Sequence, residues 1–194
     1  VVAQHSYGVR RVGQSDPIDA HTVFRMASVS KGFAAVLAGQ LVEQQHVHWD
    51  DTLRHHLPYF RLKDRLHTNS ITLRHTLSHT TGLKEYAGSS LIYEDYSCAR
   101  MLRSLSNVPL CGAPNDTFTY QNAVYSAVAE VARKTTGYRY EYLLDSLIFQ
   151  PLGMPHASTG YRAMVNRTNK GMPHTYSRRY GWRPNGIRNK WYNV

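Results

Sequence analysis

Phe24-Arg25-Met26-Ala27-Ser28-Val29-Ser30-Lys31-Gly32-Phe33-Ala34-Ala35-Val36-Leu37-Ala38 is the stretch on which the fold turns. Val23 to Met26 reads as a short extended approach. From Ser28 the residues become small and apolar and stay so through Leu41 and Val42. A helix that is apolar nearly all round belongs in the centre of a domain. Lys31 is the one charge inside it, at the spacing that puts it on the same face as Ser28, one turn on. A serine hydroxyl is a poor nucleophile until a neighbour removes its proton. A lysine does so once desolvation lowers its pKa, and the apolar surroundings of Lys31 point to such a lowering. Backbone N–H groups at the helix start would give Ser28 half of an oxyanion site. Taken alone the S-x-x-K spacing is a weak signal. The plain alternative is Ser28 as a helix cap and Lys31 as a solvent-facing lysine.

Working outward, residues 1–12 alternate like a strand, and Gly13-Gln14-Ser15-Asp16-Pro17 marks a turn. Downstream, Asp50-Asp51-Thr52 opens a short segment ending at Pro58. Thr72 is placed to cap a helix over Leu73–His79, with Gly82 closing it. Ala123–Lys134 reads as a helix stopped by Thr135-Thr136-Gly137, and Tyr140–Phe149 as another, closed by Pro151. A little strand followed by many helices gives an α+β class with one domain over 1–194: strands in 1–27, a helical region in 28–155, and an irregular, basic stretch in 156–194.

Composition narrows the function classes. With 194 residues, 42% hydrophobic residues and 14 tyrosines, the chain has material for a real core and is unlike a disordered segment. No apolar run reaches the length of a membrane helix, and no export signal is visible at the start. The net charge is +10, and Ser146–Val194 holds no acid. Its bases (Arg162, Arg167, Lys170, Arg178, Arg179, Arg183, Arg188 and Lys190) are scattered among Gly, Pro, Asn and Tyr and not aligned on a helix face. That pattern fits a solvated surface, and nucleic acid is not an expected partner. Cys98 and Cys111 are compatible with one disulfide or two ordinary thiols. Among the 11 histidines, only His75 and His79 have an i, i+4 spacing, and no HExxH occurs, so no metal or other cofactor is expected.

A second element, Tyr120-Gln121-Asn122, precedes the Ala123 helix. A phenol there could relay protons, and a carboxamide could grip a substrate amide with both donor and acceptor. In order, Phe24–Lys31, then Ile71-Thr72-Leu73-Arg74-His75-Thr76-Leu77-Ser78-His79-Thr80-Thr81-Gly82-Leu83, then Phe118-Thr119-Tyr120-Gln121-Asn122 and Gln150-Pro151-Leu152-Gly153-Met154 resemble the serine β-lactamase-related and penicillin-binding-protein family. The likeness is on the class C side, with D-Ala-D-Ala carboxypeptidases, D-aminopeptidases and esterases, and runs from about residue 6 to 160.

The resemblance implies a β-lactamase/transpeptidase-like fold, of which this chain holds mainly the helical subdomain with its approach strands, the later sheet strands being absent. It implies Ser28 as nucleophile, Lys31 as its activator, Tyr120 as proton relay and Asn122 as a substrate-amide ligand. The substrate would be a small molecule or peptide carrying a β-lactam, D-alanyl peptide or ester bond, and the location periplasmic or secreted. The alternative is a penicillin- or peptide-binding sensor or scaffold without turnover. One departure stands out. The family's third pocket element, Lys/His-Thr/Ser-Gly, has no match after Tyr120: Lys134-Thr135-Thr136-Gly137 has one residue too many, and Ala157-Ser158-Thr159-Gly160 lacks the cation. Without that strand half the oxyanion site is missing, and each donor there is worth about 3–4 kcal/mol.

Overall fold

A computed structural model describes residues 3–93 and 96–186. Val1 and Val2 of the strand-like start, and Arg188 and Lys190 of the basic stretch, lie outside the described residues. The chain is α+β, mostly helical with a small sheet. A 3₁₀ turn over Ala27–Ser30 runs directly into α1, Lys31–Glu43. Three short helices follow, α2 (Leu53–His56), α3 (Arg65–Ser70) and α4 (Leu73–Leu77). Then come α5 (Ser89–Tyr93), α6 (Cys98–Ser104), α7 (Ala127–Thr136) and α8 (Tyr140–Leu144), which continues as π-helix through Phe149. Last are α9 (Tyr161–Val165) and a hairpin of β1 (His174–Ser177) and β2 (Gly181–Pro184), with Tyr176 opposite Trp182.

Helices this short have little stability of their own and depend on caps and packing. The side chains of Thr52, Asp64, Thr72 and Ser97 each accept a backbone N–H at a helix start. At α4 the cap is reciprocal, because His75 Nδ1 accepts the Thr72 N–H in return. α1 and α7 form the centre. Leu37 and Leu41 pack with Val124, Ala127 and Val131 in one continuous apolar cluster, which Leu53, Phe60 and Ile71 complete. α7 also packs on α2, α4, α6 and α8.

Several expectations are corrected. Ser28 is in the 3₁₀ turn, one turn before the α-helix proper, and Ala27 has a left-handed backbone (φ 46°). α1 is not enclosed all round: Lys31, Ala34, Leu37, Ala38 and Leu41 are buried, while Val36 is 53% exposed. Gly82 does not close α4. His79 takes the left-handed position after it, at φ 60°, and so leaves the helix face that it was expected to share with His75. α7 starts four residues later than Ala123, after a turn, and stops as expected at Gly137, whose left-handed N–H bonds to Arg133 O.

The N-terminal stretch forms isolated bridges, Val9 with Pro17 and Val23 with Lys170, in place of strands. Among the described residues the regular strands are the hairpin within 156–186, where an irregular chain was expected. The N-terminal arm lacks a continuous partner strand and is held by a few backbone hydrogen bonds, among them Met172 N–H to Arg10 O and Gly171 N–H to Val23 O, and by side chains. Asn169 binds Asp19 and Thr22, and Arg10 pairs with Asp16 and with Thr168 O.

Gly82 has φ +71°, and a Cβ there would lie 2.3 Å from Gly112 O and 2.8 Å from His67 Cε1. Gly137 has φ +79° with nothing within 4 Å of such a Cβ. Gly137→Ala therefore carries only the left-handed penalty, about 1–2 kcal/mol. Gly82→Ala adds an overlap with backbone that cannot move aside and should cost clearly more, at least about 3 kcal/mol. Urea unfolding of the two variants side by side checks the ordering.

Candidate active site

The turn at Ala27–Ser30 presents Ser28 to solvent, and Ser30 is held back by a 2.5 Å bond from its hydroxyl to Ala27 O. Lys31, the first residue of α1, is only 9% exposed. Its Nζ donates to Asn122 Oδ1 at 2.8 Å and to Ser28 Oγ at 3.3 Å. The same ammonium stands 5.0 Å from the centre of the Tyr120 ring and 5.4 Å from that of Tyr125. The Tyr120 side chain is hydrogen-bonded with both Lys31 and Ser28. Ser28, Lys31, Tyr120 and Asn122, singled out from two stretches more than 85 residues apart, thus converge on one spot.

Burial opposes ionisation of the Tyr120 phenol. The hydrogen bonds from Lys31 and Ser28, together with the lysine charge, outweigh it and hold the phenol below its ordinary value. At Tyr125 burial is unopposed and pushes the phenol up, a charge on Tyr120 adding to it. Tyr125 donates its O–H to Lys31 O at 2.8 Å and so fastens the start of α1 to the turn before α7.

The Tyr120-Gln121-Asn122 segment is fixed by the loop after α4. Thr119 N–H bonds to His79 O and Tyr86 N–H to Tyr120 O, both at 2.9 Å. Gln121 is fully buried, and its side-chain amide donates to Leu83 O and Lys84 O. Asn122 Nδ2 reaches Ser89 Oγ at 3.5 Å, leaving both ends of that carboxamide engaged.

Sequence reasoning passed over His79, Tyr125, Tyr86 and Ser89. His79 was weighed only as a metal ligand. Its neighbours carry no donor set, and among the described residues no cluster of three or more His, Cys, Asp or Glu could hold an ion. No local pattern marks Tyr125, five residues after Tyr120, as a partner of Lys31. Cys98 and Cys111 are separate free thiols. Burial pushes the Cys98 thiol up to about 12, which disfavours the thiolate. A hollow of about 360 Å³ bounded by Arg139, Glu141 and Tyr161 includes none of the four convergent residues. No helix among the described residues is long and apolar enough to cross a membrane.

Comparison with known proteins bears on the family and the fold. A family model described as Beta-lactamase matches residues 1–193. Penicillin-binding protein 4* of Bacillus subtilis (strain 168) is 29% identical over 160 residues, which cover 79% of this chain and 34% of that protein. Esterase EstB of Burkholderia gladioli is 31% identical over 154 residues, covering 71% and 38%. The octameric penicillin-binding protein homologue from Pyrococcus abyssi superposes with a TM-score of 0.79 at 20% identity, over 94% of this chain and 44% of that one. EstCE1, a hydrolase with promiscuous acyltransferase activity, gives 0.77 at 24% identity, over 94% and 50%. The chain thus spans little more than a third of each of these two curated relatives. With the family match running across residues 1–193 and the fold shared with penicillin-binding proteins, this chain belongs to the Beta-lactamase family and has a β-lactamase/transpeptidase-like fold.

Proposed function

We propose that the chain carries the nucleophile, the proton relay and the supporting cation of a serine hydrolase that works through an acyl-enzyme on amide or ester bonds. The observation that carries this reading is the Lys31 ammonium, bonded at once to Ser28 Oγ and Asn122 Oδ1. Ser28 Oγ attacks the carbonyl carbon of the substrate while Tyr120, in its phenolate form, takes the hydroxyl proton. The tetrahedral oxyanion collapses, the bond to the leaving amine or alkoxide breaks, and Tyr120 returns the proton to it. Water then repeats the sequence on the Ser28 ester, releasing the acid.

Lys31 donates to Ser28 and to Asn122, and its charge favours the phenolate. The division of labour is therefore a cationic lysine and a proton-carrying tyrosine. Asn122 holds Lys31 through Oδ1 and would turn its Nδ2 to a substrate carbonyl. β-Lactams, D-alanyl peptides and esters share this first step, and a periplasmic or secreted location goes with them.

Ser28 is exposed, and its side chain meets only the ends of two longer ones, Lys31 and Tyr120, so its removal should leave the fold intact. Ser28→Ala is expected to abolish covalent labelling by a fluorescent penicillin with an unchanged melting temperature. Labelling found by peptide mapping on another serine would sink the assignment. Labelling without turnover of a chromogenic cephalosporin or p-nitrophenyl ester would make the chain a binder in place of an enzyme.

The phenolate is the active form of Tyr120, and its pKa lies below the ordinary 10.0. Acylation by a neutral ester should therefore rise with pH along a limb below that value and level off above it. Tyr120→Phe should remove the limb and lower the acylation rate by about 10²–10⁴. Lys31→Arg keeps the charge, but its planar fork does not fit a site shaped for a compact ammonium, and acylation should fall almost as far as in Lys31→Ala. A pH–rate profile for each variant decides between tyrosine and lysine as the proton carrier. A limb that survives in Tyr120→Phe assigns the role to Lys31.

A further inference from the structure

His79 ends α4 in a left-handed conformation, φ 60°, and is 9% exposed. That turn aims the imidazole away from the helix and at the stretch bearing Tyr120. The ring centre lies 4.8 Å from that of Tyr120, with the planes inclined by 30°, and 5.0 Å from that of Tyr125, nearly parallel. Phe118 closes the edge at 5.5 Å. Nδ1 accepts the Gln121 N–H at 3.1 Å, and the backbone oxygen of the same residue accepts the Thr119 N–H at 2.9 Å. One residue therefore takes hydrogen bonds from both neighbours of Tyr120 and packs on its ring. An N–H donated to Nδ1 fixes the tautomer: the ring is neutral, with its proton on Nε2.

We propose that His79 is a positioning residue for Tyr120, accepting the Gln121 N–H through Nδ1 and backing the Tyr120 ring so that the phenol stays on Ser28 and Lys31. This rests on Tyr120 being the proton relay. The alternative, a histidine that merely fills space, would be satisfied by any ring of similar size. The Nδ1 acceptor is what an ordinary aromatic would lack. Desolvation, and then the Lys31 ammonium, hold the imidazole below its usual value, which keeps the acceptor available at neutral pH. The titratable groups against the ring are Lys31 from α1, which disfavours an imidazolium, and the phenols of Tyr120 and Tyr125, which favour it only when ionised.

Three substitutions separate acceptor from bulk. His79→Asn keeps an acceptor at the Nδ1 position and tolerates φ > 0. His79→Phe keeps the ring and loses the acceptor. His79→Ala loses both. Two readouts are taken on each folded variant: the Tyr120 titration by NMR of ¹³Cζ-labelled tyrosine, assigned with Tyr120→Phe, and the kcat and KM for a p-nitrophenyl ester. The expected result is that His79→Phe and His79→Ala move the Tyr120 titration up toward an ordinary phenol and lower kcat at least about tenfold with KM changed less than about twofold. His79→Asn should restore most of both.

Equal behaviour of Phe and the parent, or equal losses in Asn and Ala, would overturn the proposal. The NMR readout needs no turnover. A Tyr120 titration that shifts as expected in a chain that never acylates would therefore refute the hydrolase reading and leave the positioning role standing. Normal turnover with an unmoved titration in His79→Phe would do the reverse.

Discussion

An ammonium group cannot be left alone in an apolar interior, and the placement of Lys31 sets terms for everything around it. Its own helix offers no partner, because the side chains beside it on the buried face are Ala34, Leu37 and Ala38. The partners have to come from elsewhere in the chain: Asn122 Oδ1, Ser28 Oγ and the faces of two tyrosines. Asn122 Oδ1 is the nearer of the two oxygens, at 2.8 Å, and its removal would leave a buried donor short of its acceptor, at about 1–3 kcal/mol. The apolar packing of α1 on α7 and the polar contacts at Lys31 are therefore one arrangement. The same helix–helix contact that forms the core brings residue 122 to residue 31.

The rest of the site is held by loops that short, capped helices keep still. α2 and α4 are four and five residues long, yet Thr52 and Thr72 pair as an isolated bridge. Leu53 N–H bonds to Ile71 O, and Leu73 N–H to Asp51 O. That knot fixes where α4 ends, hence where His79 turns out of the helix. From there the backbone of 79–86 accepts and donates to 119–121 as an irregular ladder, and Gly82 makes room for Gly112 to approach. Precision at Tyr120 comes from hydrogen bonds spread over two loops, where a single regular element would have given less freedom of placement.

How much of this was legible in the sequence follows from what each signal encodes. Periodicity and caps located α1, the start of α4, the stop of α7 and the helical turn of Tyr140–Phe149, because residues such as Thr72 and Gly137 act within a few residues of themselves. The resemblance supplied Ser28, Lys31, Tyr120 and Asn122 as a set. Spacing alone offered only Ser28 with Lys31. His79 and Tyr125 were not legible, since their roles arise where the chain returns on itself. A left-handed histidine has no local signature of the kind that glycine has. The alternation of residues 1–12 misled for a related reason. Alternating residues make a strand only when a partner strand lies alongside, and here the arm meets its neighbours at single bridges. The hairpin at 174–184 was missed because a two-stranded ribbon with both faces largely in solvent needs no apolar alternation.

The fastening of the N-terminal arm bears on the order in which the molecule assembles. Arg10, Val12 and Thr22 find partners at residues 168–174, some 150 positions away, a wider span than the one that joins α1 to α7 in the core. During synthesis the arm emerges well before the residues at 168–174 that hold it. Closing the wider loop costs more chain entropy, though the cost grows only slowly with length. The approach to Ser28 therefore depends on contacts that close only after residues 168–174 are present. A chain stalled or cut before residue 168 could retain α1 on α7 and still leave its nucleophile on an unanchored lead.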